Sequence, residues 1–306
     1  MIDYQAARAV AMVVQTGSFD KAAKALHVTP SAISQRIKQL EDRLGAVLIV
    51  RGTPCTATEK GAWLCRHMDH VGMLEKDLMA QLPGLQEADA PAERVTLNIA
   101  SNADSLATWF LKAVSAFGHQ TGYLFNIAVD DQDHTTEWLE KGRVLAAVTS
   151  VAKPVPGCHV TPLGAICYIT AASPTFVERH FAQGFSAETL ACAPALTFDQ
   201  KDRLQHRWAH MAVGQDIAYP THWLPSVHSF VEAALDGMGW GLHPEPLVAG
   251  HVATGRLAEL VPGLRIDVPL FWQINRLAAD RLSGLTRTVV ATAKTVLHAP
   301  GSINAS

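Results

Sequence analysis

The sequence predicts an α/β chain of several domains: a small helical head closed by a β wing, a long connecting helix, and a larger α/β body. Three observations carry this. Two short helical patterns follow each other across a tight turn between Gly17 and Leu44. Apolar residues then recur at near-heptad spacing from Ala62 to Leu82. Beyond residue 93, short β-branched runs alternate with helical ones. A length of 306 residues suits a small domain plus a larger one with its own core.

In the head, Ser18 is a good helix N-cap and places Ala22, Ala23 and Leu26 on one face, where small alanines let a second helix cross closely. Thr29 and Pro30 restart the chain as N-cap and first helical residue. In the second helix Ile33, Ile37, Leu40 and Leu44 form one apolar stripe, while Ser31, Ser34, Gln35 and Lys38 project from the other side. That polar side is either a solvated face or a surface for the major groove. Its amide can pair with an adenine edge, and its lysine suits phosphate or guanine. Gly45 ends the helix, Val47 to Val50 reads as a short strand, and residues 51–54 read as a turn. A β wing results, with Arg51 placed to reach phosphate and Thr58 capping the next helix.

The long helix carries Leu64, Met68, Val71, Leu78 and Leu82, with Leu74 beside the heptad position that Glu75 occupies. It reads as a dimerising helix or as an amphipathic helix folded onto its own domain. Pro83, Gly84 and the stretch from Gln86 to Ala92 mark a boundary.

Beyond it come a strand from Val95 to Ile99, a helix around Leu106 to Phe117, a strand from Leu124 to Val129, a helix around Thr135 to Lys141, and a strand from Val144 to Val148. Ligand groups in such a fold sit at strand C-terminal ends and helix N-termini. Ser101, Asn102, Ala103, Asp104 and Ser105 fall at the first such junction, Thr149 and Ser150 at another, and Ser226 at the start of a helix from Val227 to Asp236. Their hydroxyls and the backbone N–H groups there suit a carboxylate, although each is equally a plain N-cap. Asp104, Asp130, Asp131 and Asp199 lie at strand ends or helix starts, where carboxylates in a closed cleft select a cation and carboxylates at the surface are merely solvated.

Charge and composition exclude several classes. The net charge is −3, but residues 1–60 carry +3 and the rest −6, a basic head on an acidic body. Hydrophobic residues at 48% and charged residues at 17% suit a chain folded nearly throughout. The sequence offers neither a membrane-spanning run nor a signal peptide, so a cytoplasmic location is expected, with no membrane partner. Cys55, Cys65, Cys158, Cys167 and Cys192 are scattered, which signals neither a disulfide framework nor a metal site. Fourteen histidines are present, yet His27, His67, His70, His119 and His134 fall on different elements. With no hydrolase, zinc-protease, P-loop or dinucleotide motif, no enzyme and no cofactor are expected.

The run from Gly17 to Leu26, then Thr29 to Glu41, then Leu48 to Arg51 and Thr58 to Gly61, resembles the signature of the LysR-type transcription regulators. The resemblance implies a winged helix-turn-helix at 1–60, a linker and dimerisation helix with a hinge at 61–92, and an effector-binding domain at 93–300. That domain would have two lobes like periplasmic binding proteins, lobe 1 at about 93–165 and 268–300 and lobe 2 at about 166–267. The crossings would lie near Gly164 to Tyr168 and Asp267 to Trp272. On the matching positions it implies a DNA-contacting set of Thr29, Pro30, Ser31, Ser34, Gln35, Arg36, Lys38 and Arg51. A second likeness, in Asn102 to Trp109, Leu163 to Tyr168, and Phe198 with Asp199, is to the branch that controls arginine and lysine export. It implies a basic amino acid as effector, with Phe198 and Asp199 added to the candidate contacts. The implied partners are a double-stranded DNA operator, lysine or arginine, a second copy or three further copies of the chain, and RNA polymerase. Two other readings are expected to differ in behaviour: a transport binding protein would need export and no head, and a nucleoid-associated or replication-inhibiting protein would bind DNA with little effector dependence.

Overall fold

The structure is a computed structural model that describes residues 2–82, 95–130 and 135–299. The head begins with α1 (Tyr4–Thr16), a helix the sequence reading passed over. Asp3 caps it by accepting from the Ala6 N–H at 3.0 Å, and Ala6, Ala7, Ala9, Val10 and Val13 are buried along it. The helix-turn-helix follows as α2 (Phe19–Ala25) and α3 (Pro30–Leu44). His27 in the turn between them takes a left-handed φ of 53°. The wing is β1 (Ile49–Val50) paired antiparallel with β2 (Thr56–Ala57).

Helix α4 (Glu59–Gln81) then leaves the head, and its first turn passes so close to the wing that only glycine fits at position 61. A Cβ there would lie 2.0 Å from the Leu48 carbonyl oxygen. Leu64 packs on the head core, while Met73 is fully buried in the core of the body. Trp63, Leu74, Leu78 and Leu82 are the large apolar side chains left exposed on α4. The exposed stripe therefore differs from the expected heptad: Leu64 turns inward, and Leu74 is one of its members. The helix is tied to the body by Asp69, which accepts from the Asn98 amide at 3.2 Å, and by Lys76, which donates to the Thr121 carbonyl at 2.6 Å.

The body is built on β3 (Thr96–Asn102), β4 (Leu124–Asp130), β5 (Ala146–Thr149), β6 (Cys158–Ala172), β7 (Ala195–Thr197), β8 (Thr221–Trp223), β9 (Gly241–Pro244), β10 (Ala258–Glu259) and β11 (Arg265–Asn275). Its main sheet has the order β10-β6-β11-β5-β3-β4, with β9 also paired to β6, while β7 and β8 form a small parallel pair. The parallel strands β3, β4 and β5 give one half. The long strands β6 and β11 run antiparallel, with a register shift between Leu270 and Phe271. Residues 271–274 of β11 pair with β5, and residues 168–172 of β6 pair with β9 and β10. Two strands thus thread both halves, and the segments 164–168 and 267–272 lie on them.

Helices cover the sheet: α5 (Ala103–Ser105), running through a π-helical turn at Leu106–Phe110 into α6 (Leu111–Thr121); α7 (Thr136–Glu140); α8 (Pro174–Phe181); α9 (Ala187–Cys192); α10 (Leu204–Val213); α11 (Val227–Leu235); α12 (Glu245–Ala253); α13 (Arg276–Ala279); and α14 (Ser283–Ala293). Trp109, Trp208, Trp240 and Trp272 are all fully buried between these layers. Burying rings of this size contributes heavily to the apolar stabilisation of both halves. Trp272 donates from Nε1 to the Thr286 hydroxyl at 3.1 Å, which docks α14 against the first half. The expected α/β multidomain class, a helix-turn-helix head followed by a sensor-like body, is borne out.

Candidate DNA-reading head and ligand cleft

The head presents α3 as an exposed reading helix because its opposite face is anchored. Thr29 caps it by accepting from the Ala32 N–H at 3.2 Å, and its hydroxyl lies 3.0 Å from that of Ser31. Ile33, Ile37 and Leu40 are buried in the head core. At the far end Glu41 accepts from the Leu48 and Ile49 N–H groups at 2.7 and 3.3 Å, fixing the wing relative to the helix. Thr29, Pro30, Ser31, Gln35, Lys38 and Arg51 are exposed, and Ser34 and Arg36 are half-buried. Arg51 stacks 5.2 Å over the Phe19 ring, which holds its guanidinium beside α2. Hydroxyls, an amide and cations on a rigid helix with a cationic wing form a surface suited to a phosphate-lined groove.

The second site is a narrow cleft in the body, with a cavity volume of about 30 Å³. Its first wall is Asp104, at the point where β3 ends and the helix begins, with Tyr168 of β6 donating its hydroxyl to Asp104 Oδ2 at 2.5 Å. The opposing wall brings Phe198 and Asp202 from the segment between β7 and α10, Leu204 and Gln205 from the start of α10, Val227, Phe230 and Val231 from α11, and Leu242 to Pro244 from β9. Asp202 is oriented by its own loop, accepting from the N–H groups of Phe198 at 3.3 Å and Leu204 at 2.9 Å. Gln205 is buried with its Oε1 unpartnered, and both ring nitrogens of His243 lack a hydrogen-bond partner. Burial pushes His243 down to about 4, so it stands in the cleft as a neutral imidazole. A cleft with carboxylates on both walls, a free amide oxygen and apolar flanks suits an extended ligand bearing N–H donors and positive charge.

Of the residues singled out from sequence, Asp104 and Phe198 line this cleft. Ser101 is fully buried, donating to the Asn102 carbonyl at 3.2 Å, while Asn102 Oδ1 and Ser105 Oγ are buried without hydrogen-bond partners. Ala103 opens α5. Thr149 accepts from the Val151 N–H at 3.1 Å, with Ser150 half-buried beside it. Asp199 accepts from the N–H groups of Lys201 and Asp202, making it the organiser of the loop that presents Asp202. Ser226 is an exposed cap, accepting from the Ser229 N–H at 3.4 Å. Asp130 ends β4, and its side chain lies outside the described residues, as do Asp131 and His134. Tyr168, Asp202, Gln205 and His243 went unrecognised as cleft residues. Nothing in the local pattern of Asp202, Gln205 and His243 marks them, and Tyr168, although it ends the run Leu163 to Tyr168 that carries the family likeness, meets the others only when two halves of the sheet fold together.

A groove-reading head joined by a helix to a ligand cleft defines a DNA-binding transcription regulator that responds to a small molecule. Residues 4–62 match the bacterial regulatory helix-turn-helix protein, lysR family, and residues 91–297 match the LysR substrate binding domain; the chain belongs to the LysR family. The transcriptional regulator ArgP of Pseudomonas aeruginosa is 43% identical over 293 residues, covering 96% of each chain. The crystal structure of ArgP from Mycobacterium tuberculosis is 40% identical, with a TM-score of 0.77, and the match covers 98% of this chain and all of that one. Full-length LysG from Corynebacterium glutamicum, solved with its bound effector Arg, is 33% identical with a TM-score of 0.67, over 97% of this chain and all of that one. These names bear out the resemblance down to its branch, and regulators rather than enzymes are what the chain is related to. Among the described residues no helix is long and apolar enough to cross a membrane.

Proposed function

We propose that this regulator binds arginine or lysine in the cleft and, in response, alters its grip on the operator of a basic amino acid export gene. The observation that carries the reading is the pair of carboxylates, Asp104 and Asp202, one on each wall of the cleft. Two anions in a partly desolvated space favour a ligand with two separated cationic groups, which the α-ammonium and the guanidinium or ammonium tail of a basic amino acid supply. The arginine bound to the LysG relative supports the same ligand class. Closure on such a ligand would move the two halves about β6 and β11, which thread both.

In this reading Thr29, Pro30, Ser31, Ser34, Gln35, Arg36, Lys38 and Arg51 contact the operator. The exposed α4 stripe of Trp63, Leu74, Leu78 and Leu82 supports pairing of linker helices in a dimer or tetramer that sets two heads on successive half-sites. The division at residues 60 and 92, with lobes meeting near 165 and 267, belongs to the same proposal, as do a cytoplasmic location and contact with RNA polymerase. Isothermal calorimetry of the full chain against arginine and lysine tests it, followed by operator footprinting with each added. Binding that alters the footprint is expected. DNA binding indifferent to both would return the ligand to unknown and favour an architectural role.

A further inference from the structure

Beside the cleft, four parts of the chain bring a thiol, an imidazole and carboxylates together. Cys167 and Asp267 are direct partners in the β6/β11 ladder, so their side chains share one face. Glu245 is the first residue of α12. His298 follows α14 and is pinned by its backbone, donating to the Ala165 carbonyl at 2.9 Å and accepting from the Ala165 N–H at 3.1 Å. Glycine at 164 permits this approach, since a Cβ there would meet the His298 carbonyl oxygen at 2.5 Å.

Cys167 Sγ, a Glu245 carboxylate oxygen and a ring nitrogen of His298 lie within 4.8 Å of one another. His298 Nε2 is 3.6 Å from Glu245 Oε2, and its Nδ1 is 3.5 Å from Asp267 Oδ1. Both separations are too long for good hydrogen bonds. The His298–Glu245 separation is close to the edge of about 3.3–3.7 Å that separates neighbouring ligands on a tetrahedral ion with bonds of about 2.0–2.3 Å. Arg265 lies 3.3 Å from both Glu245 and Glu259, so the guanidinium offsets part of the negative charge of those two carboxylates.

We propose that Cys167, Glu245 and His298 form a site for a divalent transition metal of the zinc class, with the Asp267 carboxylate beside it adding negative charge. Sulfur, nitrogen and oxygen donors together select such an ion over calcium or magnesium. Binding replaces the Cys167 thiol proton, which leaves to solvent past the exposed edge of His298. Spacing in the sequence signals no metal site because residues 167, 245 and 298 are far apart along the chain. The site adjoins the ligand cleft: Cys167 is next to Tyr168 in the chain, and Glu245 is next to Pro244. Tyr168 and Pro244 both line the cleft and are ladder partners. An ion bridging β6, α12 and the C-terminal segment would therefore restrain the strands about which the cleft closes.

The test is titration of the full chain, dialysed against chelator, with Co²⁺. One ion per chain is expected, with the near-ultraviolet thiolate-to-cobalt absorption of a coordinated cysteine, displaced by Zn²⁺. Cys167→Ser should abolish the absorption, and His298→Ala should weaken Co²⁺ binding by about tenfold or more. Absence of the absorption, or its survival in Cys167→Ser, overturns the proposal. Should Cys167→Ser fail to fold, His298→Ala decides alone, because that side chain is 42% exposed and its loss opens no core; unchanged Co²⁺ affinity in it overturns the site.

Discussion

Replacing Asp104 by Asn removes one negative charge from the cleft while keeping a side chain of the same shape beside Tyr168. A cation about 4 Å from a carboxylate at an effective dielectric near 20 is attracted by about 4 kcal/mol. Asp104 is only partly buried, which screens some of this. The Tyr168 hydroxyl also still finds an acceptor in the asparagine carbonyl. The expected loss is therefore at the low end of the range for breaking such a pair, about 2–3 kcal/mol. That corresponds to arginine binding roughly 30- to 150-fold weaker. Calorimetry against arginine and citrulline reads it: if Asp104 faces the guanidinium only arginine weakens, and if it faces the α-ammonium both do. Thermal unfolding should stay near wild type. Arginine affinity within twofold of wild type would refute the placing of the effector's charge at this wall.

Three further outcomes follow from the geometry. Gln35→Ala should cost about 1–3 kcal/mol of discrimination for the operator over unrelated DNA while arginine affinity is unchanged, and a footprint of normal specificity would remove α3 as the reading helix. Gly61→Ala should destabilise the head by about 1–3 kcal/mol in urea unfolding, since its Cβ must push back the Leu48 carbonyl; a wild-type midpoint would contradict the close approach of α4 to the wing. Burial pushes the Asp69 carboxyl up from 3.8 to about 7, against the lowering pull of the Asn98 amide. The fold thus prefers the protonated form, so this contribution to stability is complete below about pH 4 and is lost as pH rises to about 7. Asp69→Asn, which cannot ionise, should melt higher than wild type at pH 8, with the difference shrinking at low pH; a pH-independent difference would contradict the shift.

The head was legible because its determinants are local. Caps at Ser18 and Thr29, Pro30 at the helix start and the stripe Ile33, Ile37, Leu40 act within one or two turns, and the structure places these as the spacing requires, whereas Leu44, expected to end the stripe, is exposed at the last turn of the helix. Helix α1 escaped notice because its buried face is largely alanine, which carries little periodic signal even where it packs most closely. The heptad on α4 was half right for a related reason. Spacing identifies an amphipathic helix, but which apolar residue turns to the head, to the body or to solvent depends on what it meets, and Met73 meets the core of the body.

The ligand cleft divides the same way. Asp104 could be found from sequence because a strand end followed at once by a helix start is a local pattern, and Phe198 because its neighbourhood resembles a known family. Asp202, Gln205 and His243 could not, since each is an ordinary loop, helix or strand residue until β6 and β11 bring the two halves of the sheet face to face, and Tyr168, within a family-like run, showed no cleft role before that. The cluster of Cys167, Glu245 and His298 is a still stronger case, assembled from a ladder, a helix start and a chain end. By itself the sequence determined the order of domains, the helix-turn-helix and the class of protein, because periodicity, capping and turn chemistry act over a few residues. Only the tertiary structure decided which carboxylates share a cleft and which donors share a face, because those depend on contacts between residues tens of positions apart, where side-chain direction is set by the register of paired strands.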